Sequence, residues 1–468
     1  MADPSQDTVR AHWRCFLACG IIVLSPFQYG LDFGLIGGLQ AMPGFLKIYG
    51  YRDPEVAIGW NIDTTRQQLI SSLMTMGAFI SSSLAGFVAA KLGRKMCLRM
   101  ACVLCAVSNI IMMTTTHIGP LYVGRLLIGL ANGYFMTFSQ LYIQESSPAK
   151  YRGLFLTVFH LCTTFGTLIG TIIDWATAKR PDRSAYLIPL GMIYVVPAII
   201  FAGLPFIPES PRWLVLQGRY EDGLKSLKWL RPEGADTEAE IADIRQAIDN
   251  ERALSKGVGI LDMFNNPIDR RRTMISICAV CLQAATGSMF IIAYKAYFFA
   301  MAKVQDPFAM SNVLSMAAGA IITGKVLVAL SCFYMMAFNG MIAPYSWLVA
   351  GEIPSQRLRS YTFGLAAAAG FLGAWLITFT APYFINPVAL NWGPRYGYIW
   401  FPSCIISAVW VYFYLPEVKG RALEEIDAMF NEKLPARKFR GYKVQGPGVG
   451  ETVGKLSVEL NVVETERV

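Results

Sequence analysis

Two charged residues stand where charge is costly. Asp32 and Arg125 each fall inside a long apolar run, and an unpaired charge in such a setting costs several kcal/mol. Charges kept in such a place call for an explanation, as partners of other groups or as part of a functional site. Other charged residues come in motifs that the chain states twice. Glu145-Ser146-Ser147-Pro148, with Arg152-Gly153 behind it, is echoed 207 residues later by Glu352-Ile353-Pro354, with Arg357 and Arg359 behind. Pro208-Glu209-Ser210-Pro211-Arg212 returns as Pro416-Glu417-Val418-Lys419-Gly420-Arg421 at an offset of 208. The bases of Gly93-Arg94-Lys95 and Arg152 can pair with Glu145 and Glu209 at helix ends. Such a latch opens and closes only if it is worth a few kcal/mol.

The elements that must carry these groups are membrane helices. Of 468 residues 54% are hydrophobic and 16% charged, where a soluble chain carries about 25% charged residues. Apolar runs long enough to cross a bilayer lie near 16–39, 69–91, 97–116, 120–143, 154–174, 187–207, 273–300, 325–350, 361–384 and 396–415. The fold class is therefore all-α and polytopic, with about ten full spans. Motifs repeated at one offset, each after an apolar run, indicate two homologous halves, the architecture of a transporter rather than an enzyme. No nucleophile, base and oxyanion donors converge on any polar segment. The net charge of +9 resides mostly in alternate short loops. By the positive-inside rule that places both termini in the cytosol and implies no nucleic-acid partner. His12, His117 and His160 are far apart, so no metal site is expected, and no Gly-rich stretch has a phosphate-loop ending, so no cofactor is expected. The cysteines read as apolar fillers. Lys295 and Asp174, near span ends, are expected to reach toward the headgroups.

The organisation is residues 1–207 as a six-helix bundle, 208–272 as a cytosolic linker with short helices over 220–230 and 237–254, 273–434 as a second bundle, and 435–468 as a mobile tail. The second bundle is short. About 50 residues, the length of a helix pair, are absent between its first span and Glu352, and no counterpart of Gly93-Arg94-Lys95 occurs near position 300. An even number of missing spans keeps Arg357 and Arg359 on the cytosolic side. Residues 308–324 form an apolar stub.

One family carries these elements in this order. They are Gly30-Leu31-Asp32 with Gly37-Gly38, Gly93-Arg94-Lys95, and Gly124-Arg125 with Gly129 and Gly133. Glu145 to Gly153, Pro208 to Leu214, Gln283 with Gly287, Pro344 to Pro354 and Pro416 to Arg421 complete the series. The chain resembles the sugar porters of the major facilitator superfamily, particularly fungal hexose and α-glucoside permeases, apparently lacking one helix pair in its C-terminal half. The resemblance implies two bundles that rock around a central site, proton coupling through Asp32 and Arg125, and sugar contacts from His160, Gln283, Tyr294 and Trp347. It implies a cytosolic gate of Gly93, Arg94, Lys95, Glu145, Arg152, Glu209, Arg212, Glu352, Arg357, Arg359 and Glu417. The expected partners are a sugar-like solute, a proton and the lipid bilayer, for a monomer in the plasma membrane. The chain departs from the family where Leu31, His160, Ala284, Met289 and Gly370 replace a Tyr and four amides. The loss of amides keeps open a carrier of a secondary metabolite or organic acid. The shortened half keeps open a transport-inactive sensor or a truncated product.

Overall fold

The computed structural model describes residues 10–54, 59–180, 182–255, 262–301, 333–355, 358–386, 389–390, 392–418 and 429–439, with Phe308, Ser311, Ile426 and Tyr442. Of the stub expected over 308–324 only Phe308 and Ser311 are described, and residues 325–332 of the span expected at 325–350 and most of the tail lie outside these residues. Nine helical segments among those described are long and apolar enough to cross a membrane.

The first half contains α1 (Trp13–Leu39), α2 (Pro43–Tyr49), α3 (Thr64–Leu92), α4 (Arg94–Thr114), α5 (Ile118–Ser146), α6 (Ala149–Thr177), α7 (Ser184–Met192) and α8 (Val195–Gly203). A two-stranded hairpin, Tyr51–Arg52 against Trp60–Asn61, precedes α3. Asp63 caps α3 by accepting the Thr65 and Arg66 amides at 3.1 and 3.3 Å, which satisfies donors that a helix start leaves open. Twenty-nine residues carry α3 about 43 Å, from Asn61 at one end of the molecule to Arg94 at the other. Helices α1 and α6 approach backbone to backbone, because Gly30 and Gly34 face Gly166 and Gly170. A Cβ on Gly34 would stand 3.2 Å from the Gly170 Cα, and one on Gly170 3.1 Å from the Gly34 Cα. Small residues four apart permit this spacing where no hydrophobic effect drives helices together. The span expected at 187–207 is two helices, with Ile193 and Tyr194 between them.

Short helices follow: α9 (Pro211–Leu216), α10 (Tyr220–Leu230), α11 (Thr237–Ser255) and α12 (Asp262–Asn265). Helices α10 and α11 match the amphipathic spacing that predicts them. The second half contains α13 (Pro267–Ala285), α14 (Ser288–Met301), α15 (Ala343–Glu352), α16 (Arg359–Ile385) and α17 (Gly397–Tyr414). The continuous span expected over 273–300 is instead broken at Gly287, whose φ of +81° suits glycine alone. A side chain at that position would also collide with the Trp400 ring. Broken helices of this kind occur where backbone lines a cavity rather than lipid.

The halves meet along α3 with α16 and α1 with α14. Thr75 and Thr378 hydroxyls lie 3.3 Å apart. Asn386 donates to Ile62 O and Gln67 Oε1 at 3.2 and 3.3 Å, and the Tyr297 hydroxyl donates to Asn61 Oδ1 at 3.4 Å. These bridges gather toward the Asn61 end.

Candidate functional site

Asp32 and Arg125 are both buried at 1% exposure and face each other from α1 and α5. Arg125 Nη1 donates to Asp32 Oδ1 at 3.1 Å, and Arg125 Nε to Ile70 O at 3.0 Å. Asn132 donates to Asp32 Oδ2 at 3.0 Å. Asn132 lies seven residues, two turns, beyond Arg125 on one helix face, and that spacing was the signal by which sequence reasoning could have found it. The carboxylate is thus held by two residues of one helix, α5, while the guanidinium is also tied to α3 through Ile70 O. Beside it is a void of about 10 Å³, lined by Asp32, Arg125, Tyr49, Tyr186 and apolar side chains, the room of one water molecule.

At the opposite end of the bundle Arg94 grips Glu145 with both arms of its guanidinium, at 2.9 and 2.6 Å. Ser210 adds a hydrogen bond to Glu145 at 2.5 Å. The Arg94 and Lys95 amides donate to Glu209 at 3.2 and 3.1 Å, and the Lys95 ammonium to Ile207 O at 2.5 Å. Gly93 makes the turn into α4 with φ +83°. Burial pushes the Glu209 carboxyl above its ordinary value, while the Ser210, Lys95 and Arg94 amides pull the other way. Arg152 is exposed and is not the partner of Glu145: its place is taken by Arg94, which reaches the carboxylate from the start of α4. Arg231, which sequence reasoning passed over, ties the segment after the first half to the end of α5. It pairs with Glu240 at 2.6 Å and donates to Ser146 O at 2.9 Å. Arg212 is half-buried on α9 and Glu417 is exposed. Arg357 and the side chains of Glu352 and Arg359 lie outside the described residues.

Between the halves lies a cavity of about 430 Å³. Its walls are α1 (Tyr29, Gly30, Phe33), α6 from Thr157 to Thr167, the broken α13–α14 pair, and α15 with α16. His160, Gln283 and Trp347 line it, as do Met289 and Gly370, two of the positions where amides are missing. Gln283 Nε2 donates to Ala343 O at 3.2 Å, leaving its oxygen as an acceptor. Thr157, Thr163, Thr164 and Thr167 each donate to the carbonyl four residues before, so their hydroxyls present lone pairs. Trp347 tilts against Phe363 and Phe371 at 6.0 and 6.4 Å. Tyr294, grouped with these residues by sequence, does not line the cavity. It is fully buried and its hydroxyl donates to Thr378 O at 2.6 Å, because the break at Gly287 turns that face of α14 toward α16.

The family comparison matches this architecture. Residues 18–323 and 317–430 match the model described as Sugar (and other) transporter. The chain belongs to the sugar transporter family. A major facilitator-type transporter (ecdD) of Aspergillus rugulosus is 25% identical, aligned over 95% of this chain and 93% of its own. An alpha-glucosides permease (MPH2) of Saccharomyces cerevisiae is 27% identical over 92% of this chain and 78% of its own, and the high glucose sensor RGT2 of the same yeast is 25% identical over 88% and 60%. In fold, the chain is similar to the xylose transporter XylE of E. coli in its inward open conformation. The TM-score is 0.69 at 18% identity, over 89% of this chain and 99% of that one. XylE bound to 6-bromo-6-deoxy-D-glucose gives 0.68, with the same identity and coverage.

This sugar transporter family member is a multi-pass membrane protein of the major facilitator superfamily and groups with transporters, not enzymes. The alignment with the Aspergillus relative runs over 506 positions, more than the 468 residues of this chain, so the relative carries residues with no counterpart here. The family match restarts at 317–323, within the stretch where the sequence places its missing helix pair. Lys295 and Asp174 depart from expectation: at 4% and 1% exposure they are buried between helices instead of reaching for headgroups. Helix α14, packed along α1, turns Lys295 to the cavity wall.

Proposed function

We propose that this protein is a proton-coupled secondary active transporter of a sugar or sugar-like solute, working as a monomer by alternating access. The observation that carries the reading is the cavity between the halves, which has aromatic faces for stacking and His160, Gln283 and threonine oxygens for hydrogen bonding. In this reading the protein sits in the plasma membrane with the Arg94 end and both termini in the cytosol. The bridged Asn61 end is then the outer one. The Asp32–Arg125 pair lies behind α1, whose Tyr29, Gly30 and Phe33 line the cavity. Solute that shifts α1 thereby alters the pair, and a weakened pair lets Asp32 take up a proton. The Arg94–Glu145–Glu209 cluster joins α3, α4, α5 and α9 at the cytosolic end and moves as part of one half.

The test is solute uptake into liposomes bearing the purified chain, with a proton gradient directed inward. Accumulation of a sugar that collapses on adding a protonophore supports the reading. Equal uptake with and without the gradient sinks proton coupling, and absence of flux for every sugar sinks sugar transport. The unmatched positions in the Aspergillus alignment favour a second reading, a solute-binding sensor that does not transport. Sugar binding to the purified chain without flux would select it.

A further inference from the structure

We infer that the solute carried in this cavity bears a carboxylate, which is held by Lys295. The inference rests on the cavity being the solute site and deepens that reading by naming the solute class, a sugar acid.

Three observations lead there. Among the described lining residues Lys295 is the one basic residue apart from His160, and no carboxylate lines the cavity. Several lining donors are already committed: the four threonine hydroxyls spend their protons within α6, and Gln283 spends one on Ala343, which leaves the ammonium beside the ring groups of Tyr29, His160 and Trp347. A neutral sugar needs donors and acceptors in comparable number, whereas an anion needs chiefly the cation. Finally, Lys295 is buried at 4% exposure, and a buried ammonium is kept only where an opposite charge answers it.

Asp174, on α6 across the interface, is near enough to interact electrostatically with Lys295, and neither of its carboxylate oxygens has a hydrogen-bond partner among the described residues. The Asp174 carboxylate stands against Gly38 of α1, where any side chain would collide with it. One turn away Gly37 backs onto the Ala293 carbonyl of α14, which a Cβ would approach to 2.7 Å. The two glycines thus let α1 pack closely against both the Asp174 side chain of one half and the α14 backbone of the other. Asp174 neutralises Lys295 when the solute is absent, and the solute carboxylate competes for the same ammonium when it is present. The ring of the solute then lies along Trp347 and Phe371, which line the same cavity.

D-glucuronate and D-glucose separate the alternatives, since they differ in a carboxylate against a hydroxymethyl group. Binding of each to the purified full chain is measured by titration calorimetry, for the native protein and for Lys295→Gln, Lys295→Arg and Asp174→Asn. The expected result is glucuronate bound at least about tenfold more tightly than glucose. That preference is lost in Lys295→Gln, kept in Lys295→Arg and enlarged in Asp174→Asn, where the competing carboxylate is gone. A merely structural pair would give the opposite in Asp174→Asn, weaker binding of both solutes. Glucose bound as tightly as glucuronate, or a preference that survives Lys295→Gln, overturns the inference and leaves sugar binding standing. Failure of both solutes to bind overturns the inference and the sugar reading together.

Discussion

Asn386, the residue that ends α16, reaches across the interface to Gln67 in the first turns of α3, 3.3 Å from amide nitrogen to amide oxygen. The same amide group donates to Ile62 O. In the alternating-access reading both contacts break when the Asn61 end opens. A hydrogen bond is worth about 1 kcal/mol net, so Asn386→Ala should move the equilibrium toward the opened form by up to about thirtyfold. Spin labels carried on unnatural amino acids at Arg52 and Leu390 would report it as growth of the longer distance. An unchanged distance distribution would mean that these bridges do not hold that end.

Asp32→Asn should abolish gradient-driven accumulation while leaving solute exchange across the membrane. It also leaves Arg125 buried opposite a neutral amide, and breaking a buried pair costs about 3–5 kcal/mol. A fall in melting temperature is therefore expected, and the double variant Asp32→Asn, Arg125→Gln should recover part of it. Retention of accumulation in the single variant would remove Asp32 from the coupling mechanism.

Glu209 gives a pH signature. Its carboxyl is pushed up by burial, so its proton is held more tightly in the folded protein than in the unfolded chain. The stability this supplies is present in acid and is lost as pH rises through the folded value. The wild type should therefore lose stability relative to Glu209→Gln as pH is raised from 4 toward 7, read from melting temperatures of the two proteins in detergent. A difference that is flat with pH would contradict the assignment.

Trp347→Ala and Tyr294→Phe should separate cavity from core. Removal of the Trp347 face should weaken solute binding about tenfold or more, with little change in the proton response. Tyr294→Phe should leave affinity alone and cost about 1 kcal/mol of stability, the value of its hydrogen bond to Thr378. Loss of affinity in Tyr294→Phe would return that residue to the solute site.

Much of this fold is legible without coordinates, for a physical reason. Span length, motif offset and the costliness of intramembrane charge are properties of sequence that the bilayer enforces, so most spans could be read directly and Asp32 and Arg125 stood out, while their pairing was implied by the family resemblance. Asn132 was harder, because an amide in a helix interior has no charge to advertise it. The side-chain directions on α14 were not legible, since they depend on a break at Gly287 that follows from its left-handed backbone and from the Trp400 ring 113 positions later. For the same reason Tyr294 was assigned to the cavity and Lys295 to the lipid headgroups, each to the wrong surroundings. Arg94 and Arg152 are equally plausible partners for Glu145 on paper. Only the starting position of α4 decides between them.

The contact of Gly30 and Gly34 with Gly166 and Gly170 has a mechanical consequence. Without a layer of side chains between them, α1 and α6 cannot slide past one another or press closer without backbone collision, so the wall they form resists shear. Compliance must then reside across the cavity, where α14 is joined to α13 only through Thr286 and Gly287. Stiffening that joint should slow the carrier even if every group that touches solute is left untouched.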